Sequence, residues 1–591
     1  AFKWWVRHTL RKRDRIIKKV KSRYWTRSHK YGIELPHSVE EALAIDKRTG
    51  TTFWRDAIEK EMKNVLMAFE YPEDGKAPVG YKKIRCHMIF DIKSTLTRKA
   101  RMVAGGHLTD PPKDAVFSSV VTRDSVRIAF TIAALNDLEV LAGDVQNAYL
   151  NAPTKEKCWF IAGPEFGKDR CGTPVVIVRA LYGLKSSGAR WRDHMAATLR
   201  DAGYQSCYAD PDVWMKKNTK PDGFKYWEYV LCYVDDVLVV SHEPQSVMDY
   251  LNSRYTMKEG SVKEPDEYLG AQVRKHEFAD GRTAWAMSSD LYVKRAVADV
   301  ETELGYIGQG LRTKATTPLS STYRAELDGS PELDAKRGNY FQGLIGVLRW
   351  TVELGRIDIM VAVSMLSRYL ANPREGHLEE AFHIFAYLKA HNRSSVVLDD
   401  ATPLFDEKRF VQCDWKAYYP DAHEPEPPRA PELRGNSVTT TCFVDADHAG
   451  CRVTRRSHTG IIIFLQKAPI TWYSKRQNTV ESSTFGSEFV AMKTAIEQVE
   501  SLRYKLRMMG IPIDGPTSVF CDNESVFKNA TRPESTLKKK HNAIAYHRTR
   551  EAIAANIARL AWEDGRFNIA DVLTKLVPGP KLRELISNIL Y

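Results

Sequence analysis

Seven carboxylates, in a group of three and a group of four, have a spacing compatible with catalysis. The run Tyr229–Val240 reads YVLCYVDDVLVV, with Asp235 and Asp236 adjacent between two apolar, β-rich stretches. The simplest structure for it is a hairpin carrying both acids at its tip. Apolar flanks on both sides imply a half-buried hairpin, where neighbouring carboxylates repel each other and resist desolvation. A divalent cation offsets both costs. Upstream, Val140-Leu-Ala-Gly-Asp144 ends another strand-like run on an acid. An Asp at one strand end and a pair on a neighbouring hairpin can bracket two ions about 3.5–4 Å apart. Hard oxygen ligands suit Mg²⁺. Such a site fits phosphoryl transfer: one ion lowers the pKa of an attacking hydroxyl, and the other holds a triphosphate and the leaving pyrophosphate.

Four further acids lie towards the C-terminus. Asp445 follows the strand-like Phe443-Val444, and Glu488 sits early in a helix within SSTFGSEFVAMKTA. Asp522 ends the run FCD, and Asp571 falls in NIADVLTK at or near the start of a helix. Singly these are ordinary positions for capping acids. The order strand-Asp, helix-Glu, strand-Asp, helix-Asp is much less common by chance.

The elements that must carry these residues follow from periodicity. Ser38-Val-Glu-Glu opens a helix with a capping-box pattern, and Thr52–Met67 repeats apolar residues at three and four. Residues 71–80 read as a loop, Ile84–Ile92 and Lys99–Ala104 as strands, and 125–137 as helix. Val247–Tyr255, 286–305 and 338–390 read as helical. Residues 419–437, rich in Pro and acid, read as a linker. Beyond it, TTTCFVDADHAG, GIIIFL and PITWYS read as strands, and the stretches around 486–508 and 541–559 as helices.

Composition bounds the rest. The chain has 591 residues, 43% of them hydrophobic and 27% charged, which suits a soluble globular protein of roughly four folded units. No apolar run approaches the roughly 20 residues of a membrane helix. Nine cysteines without a CxxC pair argue against a disulfide scaffold or a zinc finger. The net charge of +13 is concentrated in residues 1–30, where twelve Lys and Arg face the single acid Asp14. That basic arm, interleaved with Trp4, Trp5, Tyr24 and Trp25, reads as a solvated leader or as a phosphate-binding segment. With no initiating Met, the chain looks like a piece of a longer one.

The motifs together resemble a known family. YVDD, preceded by GDVQNAYL and LYGLKSSGARW, resembles the reverse transcriptase of copia-type LTR retrotransposons. Phe53–Met62 resembles that family's entry helix, and Lys99–Ala104 its KARLVA fingers strand. Tyr268-Leu-Gly-Ala resembles the segment after the palm, and Tyr340–Tyr369 the VG…RPDI helical stretch. The C-terminal acids resemble those of RNase H. The family's DADxAG, ISW-S-K-Q, SST, DN-S, KH…YH-R and AD-LTK correspond here to Asp445–Gly450, Ile470–Gln477, Ser482–Glu488, Asp522–Ser525, Lys540–Arg550 and Ala570–Lys575.

The resemblance implies an α+β chain. A right-hand polymerase (fingers, palm, thumb) with a helical connection is followed by an α/β RNase H-like domain. The implied units are a basic arm at 1–50, fingers and palm at 51–245, a thumb and connection-like helical region at 246–418, the linker at 419–437, an RNase H-like domain at 438–577 and a tail helix at 578–591.

It also implies RNA-directed DNA polymerase and ribonuclease H activity by two-metal phosphoryl transfer, with two Mg²⁺ per site and Mn²⁺ as the alternative. Asp144, Asp235 and Asp236 would be the polymerase ligands. Asp445, Glu488, Asp522 and Asp571 would be the RNase H ligands, with Asp447 an alternative to Asp445. Tyr149 would lie under the sugar and select deoxynucleotides. Lys99 and Arg101 could each bind the incoming triphosphate, Gly183 would allow a close approach to the template–nucleotide pair, and Lys185 would contact phosphate. His541 and His547 would be structural, and Lys538, Lys539 and Lys540 would hold a backbone or form a solvated loop.

Implied partners are an RNA template, a DNA primer, the RNA–DNA hybrid and dNTPs. There would be no membrane. A homodimer is allowed, and an integrase would belong to the same polyprotein. The expected location is a cytoplasmic particle or the nucleus. The alternative from another class is a decayed or domesticated nucleic-acid-binding remnant, which the seven intact acids disfavour. Three positions depart from the family pattern: Ser186-Ser187-Gly188 replaces Gln-x-Pro, Gly105 replaces a basic residue, and Cys451 replaces an acid.

Overall fold

The computed structural model describes residues 29–30, 33–92, 96–109, 116–320, 322–537, 540–587 and 589–591. Of the basic stretch 1–30, only residues 29 and 30 are therefore described, and Lys538 and Lys539 also lie outside the described residues.

The first helix, Val39–Thr49, starts where Ser38 accepts the Glu41 N–H, and it ends at Gly50 in the left-handed conformation. Its buried Asp46 accepts the backbone N–H groups of Trp54 and Arg55 and so starts the next helix, Phe53–Val65. Trp54, Ile58, Met62 and Val65, spaced at three and four, form that helix's buried stripe. The stripe covers a hairpin of Cys86–Ile92 with Arg98–Ala104, in which Ile89 pairs with Arg101 and Asp91 with Lys99. Beside it, a four-stranded sheet has the order Phe69–Glu70, Pro174–Arg179, Pro153–Ile161, Lys82–Lys83.

The central sheet has five antiparallel strands in the order Gln205–Ser206, Val213–Thr219, Lys225–Tyr233, Asp236–Ser241, Glu139–Asp144. Alternate residues serve opposite faces. Tyr229, Leu231, Leu238 and Val240 join one core with the Arg123–Leu135 helix. Val230, Cys232, Val237 and Val239 join another with the helices Ser187–Asp201 and Pro244–Arg254. Burial on both faces explains the unbroken apolar runs beside the two acids.

The region 246–418 is not wholly helical. It contains a four-stranded sheet in the order Glu267–Tyr268, Ala271–Glu277, Thr283–Ser288, Ser395–Leu398. The helical reading of 286–305 therefore begins too early: Thr283–Ser288 is a strand, and the helix is Asp290–Gly305. The good helix formers in Thr-Ala-Trp-Ala-Met-Ser give way to pairing with strands on both sides. The helices Ala335–Glu353, Met360–Leu366 and Glu375–Ala390 share one apolar core.

The C-terminal sheet has the order Ala468–Arg476, His458–Leu465, Thr440–Ala446, Thr517–Cys521, Ala558–Trp562. Its first three strands are antiparallel and the last two join in parallel. The long helix Thr484–Met508 packs on it. The helix expected over 541–559 is Ala543–Ala554, closed by Asn556 in the left-handed region. The chain then becomes the edge strand Ala558–Trp562, whose Ala-Arg-Leu-Ala core carries no local strand signal.

Residues 419–437 form no helix or strand, yet they are not a free tether. Glu424 accepts from Arg503 at 2.8 and 2.7 Å and pairs with Arg507. The Trp227 indole N–H donates to the Glu432 carbonyl at 2.8 Å. The segment straps the seam between the central and C-terminal sheets, which share one hydrophobic core. At that seam the Tyr229 hydroxyl donates to the Met509 carbonyl at 2.7 Å. Gly510 (φ +71°) admits Trp227 so closely that a Cβ there would lie 2.1 Å from its indole nitrogen.

Arg127 ties three regions. Its guanidinium donates to the carbonyls of Ile470 at 2.8 Å and Glu353 at 2.6 Å, and it stacks 3.8 Å from the Trp472 ring centroid. Arg127→Met leaves buried carbonyls unpaired and is expected to cost about 2–4 kcal/mol. The check is thermal denaturation with limited proteolysis. A lower midpoint and faster cleavage within 419–437 are expected, and wild-type behaviour in both would remove Arg127 as the anchor.

Candidate active sites

The first site forms where three chain segments meet at the end of the central sheet. Lys225–Tyr233 and Asp236–Ser241 are joined by Val234 and Asp235, which places the acid pair at the hairpin tip as expected. Val234 holds φ +59°, an unfavourable conformation for a β-branched residue, while the Trp191 indole N–H bonds its carbonyl at 2.6 Å. Asp236 is the direct cross-strand partner of Asp144. The Val145 N–H donates to the Asp235 carbonyl at 2.8 Å and locks the tip to the end of the neighbouring strand.

Burial first, and then Asp235 and Asp144, push the Asp236 carboxyl up to about 6. Asp235 is also raised, chiefly by burial, with Asp144 adding to the effect and Arg101 and Lys99 opposing it. Lys258, to which no role is assigned from sequence, donates to Asp144 at 2.8 Å. That hydrogen bond raises the Lys258 pKa.

The neighbours expected around this site occupy it unevenly. Tyr149 stands beside Tyr182 with ring centroids 5.1 Å apart, and burial and then Asp235 raise its hydroxyl. Arg101 lies over the Tyr182 ring at 5.0 Å, and both Arg101 and Lys99 act electrostatically on Asp235 from the fingers hairpin. Lys185 is turned aside, since its ammonium donates to the Thr109 carbonyl. Gly183 (φ +94°) serves the protein's own packing: a Cβ there would lie 2.2 Å from the Ala104 carbonyl oxygen. The departure at Gly105 has a similar cause, with Arg85 O only 2.9 Å from a Cβ at that position. Ser186 bonds Glu156 through its N–H and its hydroxyl, and the Ser187 hydroxyl donates to the Leu181 carbonyl, so the unusual Ser-Ser-Gly is a hydrogen-bonded start to the helix Ser187–Asp201.

The second site is tighter. Ligand oxygens of Asp445, Glu488 and Asp522 all lie within 4.8 Å of one another. Asp445 ends the central strand of the C-terminal sheet, Asp522 follows the adjacent parallel strand, and Glu488 stands in the first turns of the long helix. The Asp447 carboxylate instead accepts the His458 N–H and lies outside this trio. Asp571, in the turn Ile569–Leu573, joins through Lys575. The Lys575 ammonium is 2.7 Å from Asp571 and 3.7 Å from Asp445.

Burial drives Asp445 up to about 7, against the pull of Lys575, and drives Glu488 well above the carboxylate range. The Thr574 hydroxyl donates to Asp445. The spacing of Asp571 and Lys575 at four is a helical ion-pair signal present in the sequence. Lys258 has no such signal, being 114 residues from Asp144. His547 bonds the Tyr419 hydroxyl at 2.8 Å, and His541 lies 3.6 Å from Glu481, so neither reaches the acids.

A carboxyl whose folded pKa is raised binds its proton more tightly in the native state. Metal-free stability is then lost as pH rises from about 4 through the folded pKa near 7. Asp445→Asn is therefore expected to stabilise the metal-free protein by roughly 1–3 kcal/mol more at pH 8 than at pH 4. Thermal midpoints in chelator at the two pH values check this, and an equal effect at both would refute it.

Residues 64–303 match the family model for reverse transcriptase (RNA-dependent DNA polymerase). Over 547 residues the chain is 24% identical to the retrovirus-related Pol polyprotein of transposon RE1 from Arabidopsis thaliana, covering 91% of this chain and 34% of that one. It is 25% identical over 574 residues to the Pol polyprotein of transposon TNT 1-94 from Nicotiana tabacum, covering 93% and 39%. It is 27% identical over 361 residues to a Ty5-1 transposon protein of Saccharomyces cerevisiae, covering 60% and 99%. The chain thus spans little more than a third of the length of the first two relatives. A foamy viral protease-reverse transcriptase solved in complex with an RNA/DNA hybrid aligns at a TM-score of 0.43 and 11% identity, covering 90% of this chain and 54% of that one. Residues 64–303 thus match the reverse transcriptase family model, and the chain is similar over 91–93% of its length to retrovirus-related Pol polyproteins of transposons.

Proposed function

We propose that the chain is an RNA-directed DNA polymerase that also hydrolyses the RNA strand of RNA–DNA hybrids. The observation that carries the reading is the register of the central sheet, in which Asp144 faces Asp236 directly with Asp235 at the tip. Nothing in packing favours three half-buried acids there. The raised carboxyls of Asp235 and Asp236, caused first by burial and then by the neighbouring acids, support a site that takes up further positive charge. The buried trio of Asp445, Glu488 and Asp522 repeats the pattern in the C-terminal domain.

Both donor sets are hard carboxylate oxygens and fit Mg²⁺. Asp144, Asp235 and Asp236 would hold it in the first site, and Asp445, Glu488, Asp522 and Asp571 in the second. When bound, the ions supply charge stabilisation and an activated oxygen nucleophile. The chain's own residues do the rest. Lys99 and Arg101, facing Asp235 from the fingers hairpin, attract the triphosphate. The Tyr149 ring, braced by Tyr182, closes the space beside Asp235 and excludes a ribose 2′-hydroxyl. The substrates are a primed RNA template and dNTPs in the first site, and the resulting hybrid in the second.

Primer extension on an RNA template with Mg²⁺ tests the first activity. Asp235→Asn with Asp236→Asn is expected to reduce extension at least 10³-fold while hybrid cleavage persists. Glu488→Gln should do the reverse. Equal extension by wild type and the double variant would end the polymerase reading.

A further inference from the structure

A cavity of about 220 Å³ lies against the second site and is lined in part by Thr574 and Lys575, both of which also contact Asp445. Its wall holds Arg324, Arg368, Arg456 and Lys575, against the two acids Glu326 and Asp447. Both acids already have partners within the protein. Glu326 accepts the Arg452 N–H at 3.1 Å, and Asp447 accepts the His458 N–H.

Arg368 is the telling residue. Its guanidinium is largely desolvated, and its hydrogen bond runs to a neutral ring. Arg368 Nη2 lies 2.7 Å from His458 Nδ1, and burial, with Arg368 and Arg476 adding to it, pushes the His458 pKa down to about 3. The relay is consistent throughout. The Ser474 hydroxyl donates to the Leu573 carbonyl at 2.6 Å, so His458 Nε2–H donates to Ser474 at 2.8 Å and Nδ1 is left to accept from Arg368. Neither Arg368 nor Arg456 forms an ion pair with a carboxylate among the described residues, and Arg476 adds a third guanidinium nearby. A half-buried guanidinium fixed by a neutral relay, in a cavity with excess positive charge, lacks one component: an anion.

We infer that this cavity seats a backbone phosphodiester of the hybrid, on the cleaved strand and next to the bond presented to Asp445, Glu488 and Asp522. The inference rests on the RNase H reading above. The planar, forked donors of Arg368 and Arg456 match phosphate oxygens. Lys575 lines the cavity and also contacts Asp445, which places the seat beside the reacting bond. Arg324 and Arg368 come from the region before 419, so the seat is complete only when the connection region packs on the C-terminal domain. The RNase H site would then be gripped by two parts of the chain at once.

The test pairs a protein change with a substrate change, using the full chain in chelator so that no turnover is needed. The probe is a fluorescein-labelled RNA–DNA hybrid in which single phosphates of either strand are replaced by methylphosphonate, with a 2′-deoxy sugar at that position in the RNA. Wild type is expected to lose about tenfold in affinity when one phosphate of the cleaved strand is neutralised. Arg456→Gln should bind the unmodified hybrid about tenfold more weakly and be indifferent to that same replacement. Arg456→Gln is also expected to lower the slope of log K against log salt by about 1. Arg368→Lys, which keeps the charge, should show an intermediate loss with an unchanged thermal midpoint. No coupling at any phosphate, or coupling confined to the other strand, would overturn the seat. Wild type that couples as expected yet fails to cleave with Mg²⁺ would overturn the RNase H reading and leave the seat standing.

Discussion

Mutual repulsion among carboxylates is the constraint around which both sites are built. An isolated buried carboxylate costs several kcal/mol and takes up a proton instead. Here the fold buries acids side by side, and burial first, with the neighbouring acids adding to it, raises Asp236 to about 6 and Asp445 to about 7. Each cluster also carries lysine seated on an acid, Lys258 on Asp144 in the first and Lys575 with Lys581 on Asp571 in the second. These ammonium groups are partial substitutes for the charge each cluster lacks. They relieve some of the acids and leave others without a cationic partner, which fits the divalent cations proposed above.

Holding repelling groups together requires a rigid frame, and the packing supplies it. The tip acids are pinned by the Asp144–Asp236 register and by the bond from the Val145 N–H to the Asp235 carbonyl. The C-terminal trio is pinned by two adjacent strands and a long helix packed on the same sheet. The two halves are not independent bodies on a tether. They share one apolar core, and Arg127, Tyr229, Trp227 and the 419–437 strap close the seam between them. A fixed seam gives a fixed relation between the two sites.

Much of this was legible beforehand. Hairpin and strand-end acids show themselves by interrupting apolar runs, and that interruption located Asp144, Asp235, Asp236, Asp445 and Asp522. Other features were not legible. Thr283–Ser288 and Ala558–Trp562 are strands only because neighbouring strands offer them hydrogen bonds, and their residues taken locally favour helix. Gly183 and Lys185 fit an expected motif, yet one answers to the Ala104 carbonyl and the other to Thr109. The Pro- and acid-rich segment has a linker's composition, but Glu424 finds two arginines on the long helix.

By itself the sequence determined which groups could react and which elements would present them, because apolar period and chain punctuation are local properties. The tertiary structure alone decided which charges meet. Lys258 reaches Asp144 across 114 residues, and Arg368 reaches His458 across 90. Coulomb energy depends on distance in space, and only packing converts separation along the chain into that distance.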